Sequence, residues 1–193
     1  MNALSALNEV PTVVTVLLSG GIDSAAVAAY YLQMNFEVRS LFVDCGQAAA
    51  KEERKAAHCL SKYFGIPIHE IAVSQGASIS EGEIPGRNAF LIFSVLLTSQ
   101  GGPQIIALGI HSGVPYYDCS KSFLGCAQVM VDGYAHGRIK LSAPFLKWNK
   151  PMIWNYCQKQ GLPVDMTYSC ETGHAPPCGL CPSCRDREGL YAL

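Results

Sequence analysis

Short apolar runs rich in β-branched residues recur along this chain, and longer stretches of helical period separate them. Val13 to Leu18, Val38 to Val43, Ile68 to Val73, Gln104 to Gly109 and Ile139 to Leu141 read as five strands. Ala25 to Leu32, Ala48 to Phe64, Ala89 to Ser99, Ser120 to Tyr134 and Lys150 to Gln160 read as helices between and after them. Gly65-Ile66-Pro67 stops the second helix, with glycine placed as a C-cap and proline beyond it. Gly101-Gly102-Pro103 and Gly161-Leu162-Pro163 break the chain in the same manner. Ser74 to Glu83 reads as a polar loop and Pro144 to Asn149 as a turn. In the fourth helix Phe123, Leu124, Ala127, Val129 and Met130 are available for a buried face. Val164 to Leu193 has no clear period and reads as a cysteine-bearing tail.

Strands alternating with helices predict an α/β fold. The expected architecture is a doubly wound, mainly parallel five-stranded sheet with helices on both faces and right-handed crossovers. At 193 residues the chain makes one domain, 1–193, with the tail 164–193 as its metal-binding end.

Composition narrows the function. Net charge is −1 and no Lys/Arg run exists, so direct nucleic-acid binding is not expected. Charged residues are sparse and apolar ones plentiful, which points either to a large buried fraction or to an oligomer interface such as a homodimer. The longest apolar run, Ala89 to Leu97, is too short to span a bilayer. Met1 to Val10 lacks the basic and apolar regions of an export signal, which predicts a reducing, cytoplasmic compartment.

Of the nine cysteines, four cluster as Cys170, Cys178, Cys181 and Cys184. In a reducing compartment a metal site explains them better than disulfides. Four thiolates with no open position describe a structural Zn²⁺ site, and an iron–sulfur cluster is the rival reading. Either way the metal is given no catalytic step.

The candidate chemistry lies at Leu17-Leu18-Ser19-Gly20-Gly21-Ile22-Asp23-Ser24, a strand-to-helix turn. Two glycines let the backbone curl and present several N–H groups at a helix N-terminus, where the dipole favours an anion. Ser19 and Ser24 add hydroxyl donors, and Asp23 or Ser24 is also placed to cap the helix. Neither a Walker loop nor the dinucleotide G-x-G-x-x-G fingerprint is present. Asp44-Cys45-Gly46-Gln47, Pro85-Gly86-Arg87-Asn88 and His111 to Asp118 also follow predicted strands or open helices near the same sheet edge. Arg87 is otherwise a plain surface residue, Asp118 a cap of the next helix, and His111 a packed loop residue. Cys45 has no activating base in view for thiol catalysis.

The string S-G-G-x-D-S resembles the pyrophosphate loop of the N-type ATP pyrophosphatases. With the D-x-G-Q of 44–47, the P-x-R-N of 85–88 and the tail Ser169-Cys170 … Pro177-Cys178-Gly179 to Cys184, nearly the whole chain is similar to the 7-cyano-7-deazaguanine synthase family. The resemblance implies ATP split between its α- and β-phosphates, Mg²⁺ to share the charge, and a carboxylate activated as an adenylate. The expected acid is 7-carboxy-7-deazaguanine, which ammonia converts first to the amide; a second activation then gives the nitrile. Nucleotide contacts would fall on Leu18, Ser19, Gly20, Gly21, Asp23, Ser24 and Gln47, with Phe42 and Val43 flanking the adenine. Arg87, Asn88, His111 and Asp118 would face the acid. Ser19, Asp23, Ser24, Arg87 and Lys121 would carry the catalytic electrostatics, Asp23 as a Mg²⁺ ligand and Lys121 against phosphate. Ala48-Ala49-Ala50 and Gly113 to Tyr117 differ from the family's usual residues. They motivate a second reading, an adenylating enzyme acting on another carboxylate such as a protein C-terminus. The third is a nucleotide-binding module without turnover.

Overall fold

A computed structural model of the chain describes residues 12–73, 83–98, 102 and 104–192. The expected loop at 74–83, apart from Glu83, lies outside the described residues, as do the stretch 1–10 and residues 101 and 103 of the glycine–proline break.

Five strands form one parallel sheet: β1 (Val13–Leu17), β2 (Glu37–Asp44), β3 (Ile68–Ala72), β4 (Ile105–Ala107) and β5 (Lys140–Ser142). Their order is β3-β2-β1-β4-β5, with Val14 beside both Val38 and Ile105. The chain therefore winds outward from β1 to β3, then crosses back to place β4 on the other side of β1. That reversal creates a crevice at the carboxyl ends of β1 and β4, where open α/β sheets bind ligands.

Among the described residues six helices cover the sheet: α1 (Ile22–Gln33), α2 (Ala50–Phe64), α3 (Arg87–Thr98), α4 (Lys121–Ala135), α5 (Lys150–Lys159) and α6 (Pro182–Tyr191). The strand period of two sorts the side chains between faces. Val14, Val16 and Val38 pack with Ile22, Ala26 and Val27 of α1, Ile153 and Trp154 of α5, and Leu190 of α6. Phe42 points the same way, onto Ala57 and Leu60 of α2. Leu17, Leu41 and Val43 point oppositely, against Ile92 and Val95 of α3 and Phe123, Ala127 and Val131 of α4. The doubly wound sheet with helices on both faces is thus the observed fold.

Two expectations change. On α4 the buried stripe runs Phe123, Ala127, Val131 and Ala135, a four-residue spacing, so Val129 and Met130 are turned outward, 73% and 54% exposed. The tail holds a helix, α6, begun by Pro182 at its first turn and burying only Cys184 and Leu190. The predicted turn at 144–149 is present but carries a core residue. Phe145 is 1% exposed, and its ring lies 4.8 Å from Trp148, 5.4 Å from Tyr156 and 5.8 Å from Tyr30. Among the described residues no helix is long and apolar enough to cross a membrane.

Phe145→Ala should lower the unfolding free energy by about 3–5 kcal/mol, because it empties a close-packed aromatic cluster. Denaturant titration measures this, and a loss below about 1 kcal/mol would remove Phe145 from the core.

Candidate active site

The turn between β1 and α1 is held by close backbone approaches. Gly20 has φ of +86°, a left-handed conformation that glycine adopts without strain. A Cβ there would lie 2.5 Å from the Glu53 carbonyl oxygen and 3.0 Å from the Ala57 nitrogen, so α2 abuts the turn directly. From the other side, the Tyr168 N–H donates to the Gly20 carbonyl at 2.9 Å. A Cβ at Gly109, just after β4, would sit 3.0 Å from the Ser24 nitrogen.

The helix cap departs from expectation. Gly21 is the N-cap, and no side chain caps α1. Ser24 Oγ instead donates to the Gly21 carbonyl at 2.9 Å and receives Ser19 Oγ at 3.3 Å. First-turn N–H groups have no intrahelical partner by geometry, so they remain for a guest. Ser19 is exposed at the mouth of this cradle.

The cradle opens into a cavity of about 550 Å³ at the carboxyl edge of the sheet. This is within the usual range for small-molecule sites, ~300–1,000 Å³. Leu18, Ser19, Gly21, Asp23, Ser24, Phe42, Val43, Gln47, Arg87, Asn88 and His111 all line it. Gly20 lies buried beneath it. Two expected residues are not brought into it. Asp118 is buried behind the wall, where Oδ2 accepts the Asn88 backbone N–H at 3.1 Å and its carbonyl accepts Asn88 Nδ2 at 3.0 Å. It secures the start of α3 rather than facing the cavity. Lys121 stands exposed at the start of α4, clear of the lining, because the helix is oriented by Phe123 and its cap Ser120.

A different lysine takes the central place. Lys150 Nζ lies 2.5 Å from Asp23 Oδ2. Asn149 caps α5 by accepting the Met152 N–H at 3.0 Å, which aims the first residue of that helix at the turn. Its signal was available: like the other motif residues, Lys150 follows a strand at the same sheet edge. His111 joins the pair, with Nε2 3.9 Å from Asp23 Oδ2. The Gly113 N–H donates to His111 Nδ1 at 3.1 Å, so the neutral ring carries its proton on Nε2, toward Asp23. Burial holds the His111 pKa below its ordinary value, against the pull of Asp23. Asp23 Oδ1 is buried with no hydrogen-bond partner among the described residues, which is the donor a cation such as Mg²⁺ would take.

Gln47 shapes the opposite wall. Its Oε1 accepts the Cys45 N–H at 2.9 Å, and its Nε2 donates to Glu53 Oε2 at 2.8 Å. Burial pushes the Cys45 thiol up despite nearby Arg87, which disfavours a thiolate nucleophile.

The tail closes the third side with Glu171, Pro182, Ser183 and Asp186. Glu171 Oε1 accepts from the Ser183 N–H at 3.0 Å and from Ser183 Oγ at 2.7 Å. Behind it, the sulfurs of Cys170, Cys178, Cys181 and Cys184 lie within 4.8 Å of one another. That spacing fits four thiolates around one ion, since Zn–S bonds of about 2.3 Å place tetrahedral sulfurs under ~4 Å apart. Backbone N–H groups already point at the sulfurs: Cys178 to Cys170 at 3.3 Å, and Leu180 and Cys181 to Cys178 at 3.4 Å.

A family model described as queuosine biosynthesis protein QueC matches residues 13–192. The chain belongs to the QueC family. Among its QueC relatives, a protein named 7-cyano-7-deazaguanine synthase from Synechococcus sp. (strain CC9605) is 32% identical, the alignment covering 89% of each chain. One of the same name from Gloeothece citriformis (strain PCC 7424) is 34% identical over 90% of this chain and 88% of that protein. Among solved structures, NMN synthetase from Francisella tularensis aligns with a TM-score of 0.43 and 12% identity, over 84% of this chain and 67% of that one.

Replacing one ligand tests the QueC tail. Cys181→Ser should release the ion and lower the melting temperature, read by elemental analysis and thermal unfolding. Full metal content and unchanged stability in that variant would overturn the four-thiolate assignment.

Proposed function

We propose that this protein uses ATP to adenylate the carboxylate of 7-carboxy-7-deazaguanine and couples it to ammonia, yielding 7-cyano-7-deazaguanine. One observation carries the reading: the uncapped start of α1, with Ser19 and Ser24 beside it, opens into the cavity at the reversal of the sheet. Membership of the QueC family and the names of its relatives support the choice of acid.

A carboxylate oxygen of the acid attacks the α-phosphorus, and the bond to the β-phosphate oxygen breaks. The departing pyrophosphate carries the charge that develops, and donors already aimed at it lower the barrier without reorganising. Those donors are the N–H groups of the first turn and the Ser19 and Ser24 hydroxyls. Lys150, released from Asp23, neutralises phosphate, the task first expected of Lys121. Asp23, whose Oδ1 is without a partner among the described residues, would hold Mg²⁺, and the ion would supply further positive charge against the phosphates. Arg87 forks onto the carboxylate or a phosphate oxygen. Ammonia attacks the acyl carbon and AMP leaves, giving the amide. A second adenylation, on the amide oxygen, followed by loss of AMP and protons, leaves the nitrile. His111, neutral with its proton on Nε2, orients Asp23 and contributes no positive charge of its own. The thiolate knot supplies stability to the wall that Ser183 and Glu171 form, and takes no step.

The purified protein should convert ATP, ammonia and 7-carboxy-7-deazaguanine to the nitrile, with AMP and pyrophosphate as co-products followed by mass spectrometry. Asp23→Ala and Lys150→Met should each lower turnover by about 10²–10³-fold, the usual scale for removing one transition-state electrostatic contact. AMP formed only with a protein acceptor would move the assignment to adenylation of a protein C-terminus. Equal and negligible turnover in wild type and variants would leave a nucleotide-binding module.

A further inference from the structure

The cavity contains a carboxylate that the proposed reaction has not used. Glu53, in the first turn of α2, lines the wall beside Cys45 and Gln47. Its Oε2 accepts from Gln47 Nε2 at 2.8 Å, and no other hydrogen bond to the carboxylate occurs among the described residues. Burial raises its pKa, with Arg87 pulling the other way and Asp44 adding to the rise. This half-buried carboxylate faces the cavity with acceptor capacity to spare, which hydrogen-bond donors of a ligand can fill.

Its position selects among donors. The Glu53 carbonyl packs against Gly20, so the residue adjoins the phosphate cradle itself. The group joined to an α-phosphate held there is the ribose, whose 2′- and 3′-hydroxyls are two adjacent donors. An adenine edge pairs a donor with an acceptor and would set one ring nitrogen against the carboxylate. In doubly wound nucleotide sites the ribose is commonly held by an acidic residue at the end of the second strand. Asp44 occupies that place here but is sealed: Arg54 Nη2 lies 2.6 Å from Oδ2, the Gly46 N–H donates to Oδ1 at 3.0 Å, and the side chain is not among the cavity lining. Glu53 is the carboxylate next to it that faces inward.

We propose that Glu53 accepts hydrogen bonds from the ribose hydroxyls of the bound nucleotide and sets the preference for a ribonucleotide. This assignment rests on the ATP reading above.

The test is calorimetric binding of ATP, 2′-deoxy-ATP and 3′-deoxy-ATP with Mg²⁺ to the wild type and to Glu53→Gln, with thermal unfolding as a control on folding. Wild type should bind ATP about 10-fold or more tighter than at least one deoxy analogue, as expected for loss of a hydrogen bond to a charged group. Glu53→Gln should lose ATP affinity by about the same factor, bind that deoxy analogue nearly as wild type does, and so lose the preference. Glu53→Ala tells the same story without the amide: it should also bind ATP and the analogue alike. A wild type that binds all three alike, or variants that weaken all three equally, would overturn the assignment while leaving the ATP reading intact. A wild type that binds none of them would remove both.

Discussion

The close approach of three backbones at Gly20 sets the geometry of everything around it. A side chain at that position would collide with the α2 backbone, and its carbonyl is bonded to the tail at Tyr168. Strand β1, helix α2 and the C-terminal segment therefore meet on one atom group. The turn is packed from below and behind, and Gly21, Asp23 and Ser24 at the start of α1 line the cavity. Any residue other than glycine would cost about 1–3 kcal/mol in backbone strain and would also push α2 away. The proposed anion binding at this turn would thus depend on packing as much as on helix electrostatics.

The same contact explains why the cysteine knot matters to a site it does not enter. The segment Tyr168 to Asp186 leaves the Gly20 contact, passes through the four thiolate positions, and returns as α6 with Ser183 and Asp186 in the cavity wall. A chain path of this kind has little apolar burial of its own; only Cys184 and Leu190 of α6 are buried. One ion bridging the four sulfurs would supply the cross-links that a larger hydrophobic core otherwise provides. Losing it would free one wall of the cavity and the bond that seats the phosphate turn.

Legibility followed physical period. Buried parallel strands are continuous apolar runs, and amphipathic helices between glycine–proline stops are strong signals, so the order and type of nearly every element could be read from residues alone. The helix α6 escaped because Pro-Ser-Cys-Arg-Asp-Arg-Glu-Gly-Leu-Tyr has almost no apolar stripe; its start is fixed by Pro182 and by the knot. The side chains that share one cavity were legible from a topological rule, that each motif follows a strand. Direction was not. Asp118 and Lys121 sit next to the correct loop, yet one is turned into the α3 start and the other outward. Lys150, far along the chain, reaches Asp23 because the Asn149 cap points it there. Glu53 was hidden for a similar reason: on a helix face that otherwise reads as solvated charge, one position happens to look inward.

The charge balance of the cavity now constrains how a polyanion can enter it. Among the described residues, four carboxylates line it, Asp23, Glu53, Glu171 and Asp186, against two fixed cations, Arg87 and Lys150, and burial lowers the pKa of His111. Such a wall does not attract triphosphate by net charge. For a nucleotide, the binding energy would have to come from directed N–H groups, which carry no countercharge to desolvate, and from cations arriving with the ligand. Lys150 is already paired with Asp23, so it serves phosphate only if another cation takes over the Asp23 carboxylate. Oδ1 of that carboxylate is buried and without a partner, which is where a divalent ion would bind. On the proposed reading, metal-bound nucleotide would suit this arrangement better than the free polyanion, because a divalent ion on Asp23 would release Lys150 and leave one more positive charge for the phosphates.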